Sequence, residues 1–316
     1  VWETAPTFFD QESLNLGITL MVLYRSLIIT CYVKERIIWM LIENGDSDKL
    51  LFDQAYKFLL KEEKINNELI DKHLVPDAER LKPNTINKIY KAILDSAQNV
   101  QMSPNVIGRA ISGIKGDIDP LRKILFDFDP KKTFEKYKSY SPEKLLNEIK
   151  PVLITVPNKD KLWIRFCKTI ISSASYLIQF KDHHEFYEII EAYNNDDKMR
   201  PFLPMLLSFE IDGFGFALSC DFLKEMGYVN FGKPDTHIKD IFIELGFLTN
   251  TPKSSSKADY LSLKLIGRIA KNNGRTPYAV DKLLWLIGSG NFYLDKIEIG
   301  TKKKEFIAFM KNQLNT

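Results

Sequence analysis

The chain reads as an all-α protein. Apolar residues recur at helical spacing along most of its length, Val/Ile/Thr alternation is scarce, and cap-like residues punctuate the runs. With 316 residues, 45% of them hydrophobic, it can bury a real core as one large domain or two smaller ones.

The first third holds amphipathic runs at Leu14–Glu43, Ser47–Glu62, Asn66–His73 and Asn84–Asn99. Asp46-Ser47-Asp48 is the expected cap signal of the second run and Pro83-Asn84 that of the fourth. The most apolar window, Gly17–Val33, is broken by Arg25 and followed at once by Lys34-Glu35-Arg36. A spanning helix needs about 20 predominantly apolar residues, so this window predicts a core helix and no membrane partner. None of these runs carries recognisable chemistry, and residues 1–100 are expected to form a helical N-terminal region distinct from residues 101–316.

Beyond Ser103-Pro104, Ser141 followed by Pro142 is a cap with proline at the first helical position. The next helix, Asp160–Phe180, sets Trp163, Phe166, Ile170, Ile171, Ala174 and Leu177 near one face, which predicts a central core helix. Another is expected from His184 to Tyr193. At the other end, Asn291–Gly300 alternates and predicts a small ribbon. Thr301 is the expected cap of a last helix with Phe306, Phe309, Met310 and Leu314 inward. Lys302, Lys303 and Lys304 then fall at the end of that helix where the dipole disfavours cations. Such a run is either a phosphate contact or a solvated face.

Composition excludes several functions. The three cysteines, Cys31, Cys167 and Cys220, form no pair or cluster at metal-ligand spacing, so no metal is expected. The formal net charge of +3 requires that any nucleic-acid surface be a local patch.

The chemistry concentrates in Pro201–Leu248. An apolar helix over Leu203–Ile211 runs into Gly213-Phe214-Gly215, and a second helix, Phe216–Met226, stops at Gly227. Glycines at alternate positions between two helices let a backbone approach closely and leave amides pointing outward, where a phosphate can dock. Downstream, Lys233-Pro234-Asp235-Thr236-His237 opens a third helix, Ile238–Leu245, about twenty residues after Gly215.

These two motifs at this distance resemble the helix-hairpin-helix/Gly-Pro-Asp superfamily of DNA glycosylases. The run Ile211–Leu218 stands for the family's hairpin and Pro234–His237 for its Val-Asp-x-His, and the resemblance covers roughly Trp163–Gly290. It implies a two-lobed glycosylase-like domain following the helical N-terminal region, located in the cytoplasm or nucleus. Its partner would be double-stranded DNA carrying a damaged or modified base, and no metal or organic cofactor would be needed. By the same resemblance Asp235 takes the catalytic position, stabilising developing positive charge on the sugar and orienting the attacking water. Gly213 and Gly215 would dock phosphate, with Lys233, His237 and Lys239 beside the DNA backbone. A flipped base would stack on aromatic side chains, for which Phe216, His183 and His184 are the candidates.

Three positions depart from the family pattern. Ala217 stands where bifunctional glycosylase/lyases carry a nucleophilic lysine, which implies base removal without strand cleavage. Lys224, the nearest amine, lies two helical turns further on. Asp212 replaces the hairpin proline, and no cysteine cluster follows the last helix. The alternatives are a non-catalytic DNA-binding hairpin protein, in which Asp235 would be only a helix cap, and a helical scaffold with no basic surface at Gly213–Gly215.

Overall fold

The computed structural model describes residues 45–76, 82–99, 106–114, 116–155 and 160–314. The expected helix over Leu14–Glu43, and with it the Gly17–Val33 window, lies outside them. Contacts separate Val1–Gly45 from a compact unit, Asp46–Thr316. Within that unit the described secondary structure is helical except for one two-residue ribbon.

Two helical lobes make up the unit, each built around one buried helix. The first lobe gathers α3 (Ile86–Ala97), α4 (Ile107–Ser112), α5 (Pro130–Tyr137), α6 (Pro142–Ile149), α7 (Asp160–Leu177), α8 (His183–Asn194), α9 (Phe202–Glu210) and α10 (Phe216–Glu225). Its axis is α7, which packs against α3, α5, α6 and α9. The reason is the stripe expected from the sequence: Trp163, Phe166, Ile170, Ala174 and Leu177 are all buried. Tyr90 of α3 is buried in the same core, and its hydroxyl donates to the Ile170 carbonyl at 2.8 Å.

The second lobe surrounds α13 (Pro277–Ser289), whose apolar positions Leu283, Leu284, Leu286 and Ile287 are buried. Packed on it are α2 (Asn67–Leu74), α11 (Thr236–Glu244), α12 (Ser256–Asn272) and α14 (Lys303–Leu314). The ribbon pairs β1 (Asn291–Phe292) with β2 (Ile297–Glu298), antiparallel, matching Asn291 to Glu298 and Phe292 to Ile297. Residue 100 is therefore not a break in packing: α2 belongs to the second lobe, whereas α3 lies in the core of the first.

Caps set the helix starts. Ser141 accepts the Lys144 amide at 3.2 Å with Pro142 at the first helical position. The fourth expected run begins one residue later than its sequence signal. Thr85 accepts the Lys88 amide, while the Asn84 side chain takes the Lys88 ammonium instead. The last helix also starts later, with the Phe306 amide bonded to the Lys302 carbonyl. Its lysines are held by the fold: Lys302 pairs with Glu62 and Glu305, and Lys303 with Asp240. Those carboxylates offset the unfavourable dipole end. Phe306 and Met310 are buried, and Phe309 packs on Phe58 of α1 (Gly45–Leu59).

Asp48 fixes α1 to the second lobe. It is fully buried, and Arg268 grips it bidentately at 2.7 and 2.8 Å while Asn272 adds a third bond at 2.7 Å. Breaking one side of a buried ion pair strands the other charge. Asp48→Ala should therefore lower unfolding free energy by about 3 kcal/mol, read as a lower denaturant midpoint with an unchanged slope.

Candidate active site and nucleic-acid interface

The hairpin turn is held from below and from the side. Ile211 and Phe214 are buried beneath it, and the Phe214 amide bonds to the Ile211 carbonyl at 3.1 Å. Gly213 has φ +78°, where any side chain is strained. A Cβ there would also lie 2.7 Å from both the Arg165 carbonyl oxygen and Thr169 Oγ1. That closeness lets α7 fasten the turn. Thr169 Oγ1 donates to the Asp212 carbonyl at 2.8 Å, and Arg165 Nε donates to the Gly213 carbonyl at 2.7 Å.

Gly215 is the N-cap of α10 and gives it no side-chain cap. The first-turn amides of Phe216 and Ala217 have no carbonyl one turn back, so the helix start presents donors. An open cleft of about 450 Å³ lies against the turn, lined by Lys161, Arg165 and Lys168 of α7 with Ser208, Asp212 and Gly215.

Asp235 stands at the start of α11. Its amide bonds back to the Lys233 carbonyl at 2.7 Å, a tight turn that brings the side chain over the helix end. Oδ1 accepts the His237 and Ile238 amides at 2.8 and 3.1 Å. Oδ2 has no protein hydrogen bond among the described residues, and the residue remains partly open to solvent. Protein surrounding the carboxyl raises its proton affinity, and the negative charge of Asp281 raises it further. The Ile238 amide, His237 and Lys233 act the other way.

Beneath Asp235 runs a buried chain of charges. Lys224 Nζ is 2.7 Å from Asp281 and 3.4 Å from Asp221, and Lys233 reaches Asp221 at 3.2 Å. Asn99 donates to the same Asp221 carboxylate at 3.0 Å. Burial works against the Asp221 charge, but the ammonium groups of Lys233, Lys224 and Lys282 outweigh it and hold the carboxyl far below its usual range. Burial likewise disfavours the Lys224 ammonium, yet Asp281 and Asp221 raise its proton affinity well above that of a free lysine. Gly232 allows the loop to lie on this chain, because a Cβ there would sit 3.1 Å from the Asp281 Cβ and 2.8 Å from Ile266.

The residues singled out from sequence take different places in the fold. Gly213 and Gly215 form the turn, and Asp235 caps the following helix. Lys233 and Lys239, expected beside DNA, are instead neutralised, by Asp221 and by Asp259 at 2.6 Å. His237 packs against Gly288 with Nδ1 buried and unpaired, and burial lowers its proton affinity against the pull of Asp235. Phe216 is buried in the apolar core of the first lobe, because the first turn of α10 rolls it inward. His183 and His184 stack on each other with centroids 3.9 Å apart at the start of α8, where His184 is exposed and His183 also meets Tyr187. Lys224 is 4% exposed and locked between two carboxylates, so it offers no free amine. Lys161, Arg165 and Lys168 escaped the sequence reading, although their i, i+4, i+7 spacing marks one helix face.

Two helices joined by an anchored glycine turn, followed by an aspartate capping the next helix, are the frame of the helix-hairpin-helix DNA glycosylase fold. Residues 139–273 match the family model described as 8-oxoguanine DNA glycosylase, in line with the resemblance to the helix-hairpin-helix/Gly-Pro-Asp superfamily carried by the hairpin and Asp235. An 8-oxoguanine DNA glycosylase/AP lyase of Korarchaeum cryptofilum is 29% identical over 104 residues, 33% of this chain and 48% of that protein. One of the same name from Methanocaldococcus jannaschii is 25% identical over 118 residues, 37% of this chain and 55% of that protein. The chain thus spans about half the length of the curated relatives it matches. Among solved structures, the M. jannaschii 8-oxoguanine glycosylase/lyase in complex with 15mer DNA containing 8-oxoguanine aligns at a TM-score of 0.45 and 17% identity, over 73% of this chain and 94% of that one. The 8-oxoguanine DNA glycosylase of Thermotoga maritima aligns at 0.44 and 17%, over 76% and 98%.

The two hairpin glycines should respond differently to alanine. Gly213→Ala meets a forbidden φ and two contacts on α7, and should cost about 2–4 kcal/mol. Gly215→Ala finds only an ordinary contact, 3.5 Å to the Arg165 guanidinium, and should cost no more than about 1 kcal/mol, the difference between Gly and Ala at an N-cap. Thermal midpoints of the two variants measure the contrast.

Proposed function

We propose that this protein is a monofunctional DNA glycosylase. It hydrolyses the N-glycosidic bond of a damaged or modified base in duplex DNA and leaves an abasic site for base excision repair. The names of its relatives make 8-oxoguanine the first base to test.

The observation that carries the reading is the state of Asp235. One carboxylate oxygen is pinned by two helix amides, and the other is without a protein partner at a partly open position. A charge fixed in this way can stabilise positive charge developing on the deoxyribose and align a water for attack. The hairpin supplies the phosphate dock that brings the strand to it. Ala217 offers no nucleophile, and Lys224 is committed to Asp281 and Asp221, so water is the attacking group.

Duplexes carrying one modified base test the reaction. Base release should leave the strand intact until alkali or heat is applied, and borohydride should trap no protein–DNA adduct. A strong trapped adduct would show that another lysine attacks the sugar and that water does not. Asp235→Asn keeps the cap and should alter stability by under about 1 kcal/mol. Its base release should fall on the order of a hundredfold or more. A fully active Asn variant would remove Asp235 from the reaction.

The pH dependence follows from the charges around Asp235. Its ionised form is the working one, so base release should rise with pH through the raised Asp235 titration. Asp281→Asn removes the anion that adds to the raised proton affinity, while Lys233 and His237 still act to lower it. The acid limb of the single-turnover profile should therefore move to lower pH. An unmoved limb would mean that a different group controls it.

A further inference from the structure

Arg165 is half-buried with no anionic partner. Its Nε is committed to the Gly213 carbonyl at 2.7 Å, and no carboxylate lies within ion-pair distance of it among the described residues. Burial lowers the proton affinity of this guanidinium, with no compensating charge. A partly desolvated cation normally has an opposite charge nearby, because removing it from water is costly. Here the remaining guanidinium nitrogens face the cleft beside the turn, one of them 3.5 Å from where a Gly215 Cβ would stand.

Lys161 and Lys168 flank Arg165 one turn to either side. Both are exposed, both line the same cleft, and neither has an ion-pair partner among the described residues. Elsewhere the lysines near Asp235 are neutralised: Lys233 by Asp221, Lys239 by Asp259, Lys303 by Asp240. Positive charge without an ion-pair partner among the described residues therefore collects on the α7 face that borders the hairpin, with exposed Glu143 acting on Lys168 only at a distance. Asp212 at the rim is the one acid lining that cleft.

We propose that Lys161, Arg165 and Lys168 form a side-chain phosphate site that grips the backbone of one DNA strand beside the hairpin turn. The inference rests on the DNA-binding part of the function proposed above. Seven residues of helix span about 10 Å, long enough for the strip to reach neighbouring phosphates of one strand. Arg165 is the fixed element, held by the turn that it serves, and its planar fork suits a phosphate. The lysines add mobile charge on either side. Such contacts carry no base information, so the strip sets affinity and register on the strand without selecting the lesion.

Salt dependence of binding to an undamaged duplex tests the site without requiring catalysis. Each phosphate contact contributes about 0.9 to the slope of log affinity against log salt. The double variant Lys161→Gln/Lys168→Gln should keep its thermal midpoint and reduce that slope by roughly 2. The control Lys49→Gln/Lys57→Gln removes the same charge from exposed positions of α1 and should leave the slope near wild type. Gly215→Asp adds a carboxylate beside the Arg165 guanidinium in a place with room for it, and should weaken binding while the fold persists. Equal slopes for the two double variants, or normal binding by a folded Gly215→Asp protein, would overturn the site. Base release at saturating protein separates this from the catalytic reading. A wild type that shows the slope effect but releases no base from any modified duplex upholds the strip and sinks the glycosylase reading. A wild type with no salt-dependent affinity for duplex overturns both.

Discussion

Lys224 and Asp281 meet at 2.7 Å with almost no access to water, one on the second helix of the hairpin and the other on the central helix of the second lobe. Withdrawing two such charges from water costs several kcal/mol per ion, and only close geometry with further partners offsets it. Asp221 supplies that partner to Lys224, and Lys233 and Asn99 complete the set around Asp221. The hairpin, the Gly232–Asp235 loop and the second lobe are thereby tied at one point. An apolar contact of the same size would hold the lobes together but would not fix how α10 is set along α13. Directional bonds do so, and Asp235 inherits its position from them.

The same chain of charges gives Asp235 its electrostatic setting. Asp281 lies under the loop against Gly232, so its negative charge reaches the Asp235 carboxyl through protein rather than water. Lys233 and His237 oppose it from the loop and from α11. Positioning and proton affinity thus come from one set of side chains. A substitution in the set therefore changes both, and only a measurement that separates rate from pH dependence can tell which was altered.

Much of this was legible in the sequence, for local reasons. A glycine with a left-handed φ, an aspartate capping a helix and a stripe of apolar residues on α7 each involve neighbours within a turn or two of chain. The fates of Lys233 and Lys239 were not legible, because their partners lie 12 and 20 positions away and only the packed helices bring them together. Phe216 is a similar case: its place just after the turn suggested an open face, and the roll of α10 put it in the core. The cationic face of α7 was visible as spacing. What could not be seen is that its charges are left unpaired, since that depends on which acids the fold brings near.

The proposed function asks how a chain of net charge +3 would hold DNA. Formal charge counts every lysine alike, whereas the phosphate backbone responds to charges that are free when it arrives. Ion pairing removes Lys224, Lys233, Lys239 and Lys303 from that set, and each performs a structural task next to the Asp235 end of the site. Lys161, Arg165 and Lys168 stay in that set, beside the hairpin amides. In the proposed reaction, paired charges near Asp235 would keep the carboxylate from being swamped by local positive potential, which would weaken its hold on a developing cation. Unpaired charges along α7 would supply attraction at a distance from the reacting bond. Dividing the lysines in this way would let one nearly neutral protein attract a polyanion and still stabilise positive charge on the sugar within it.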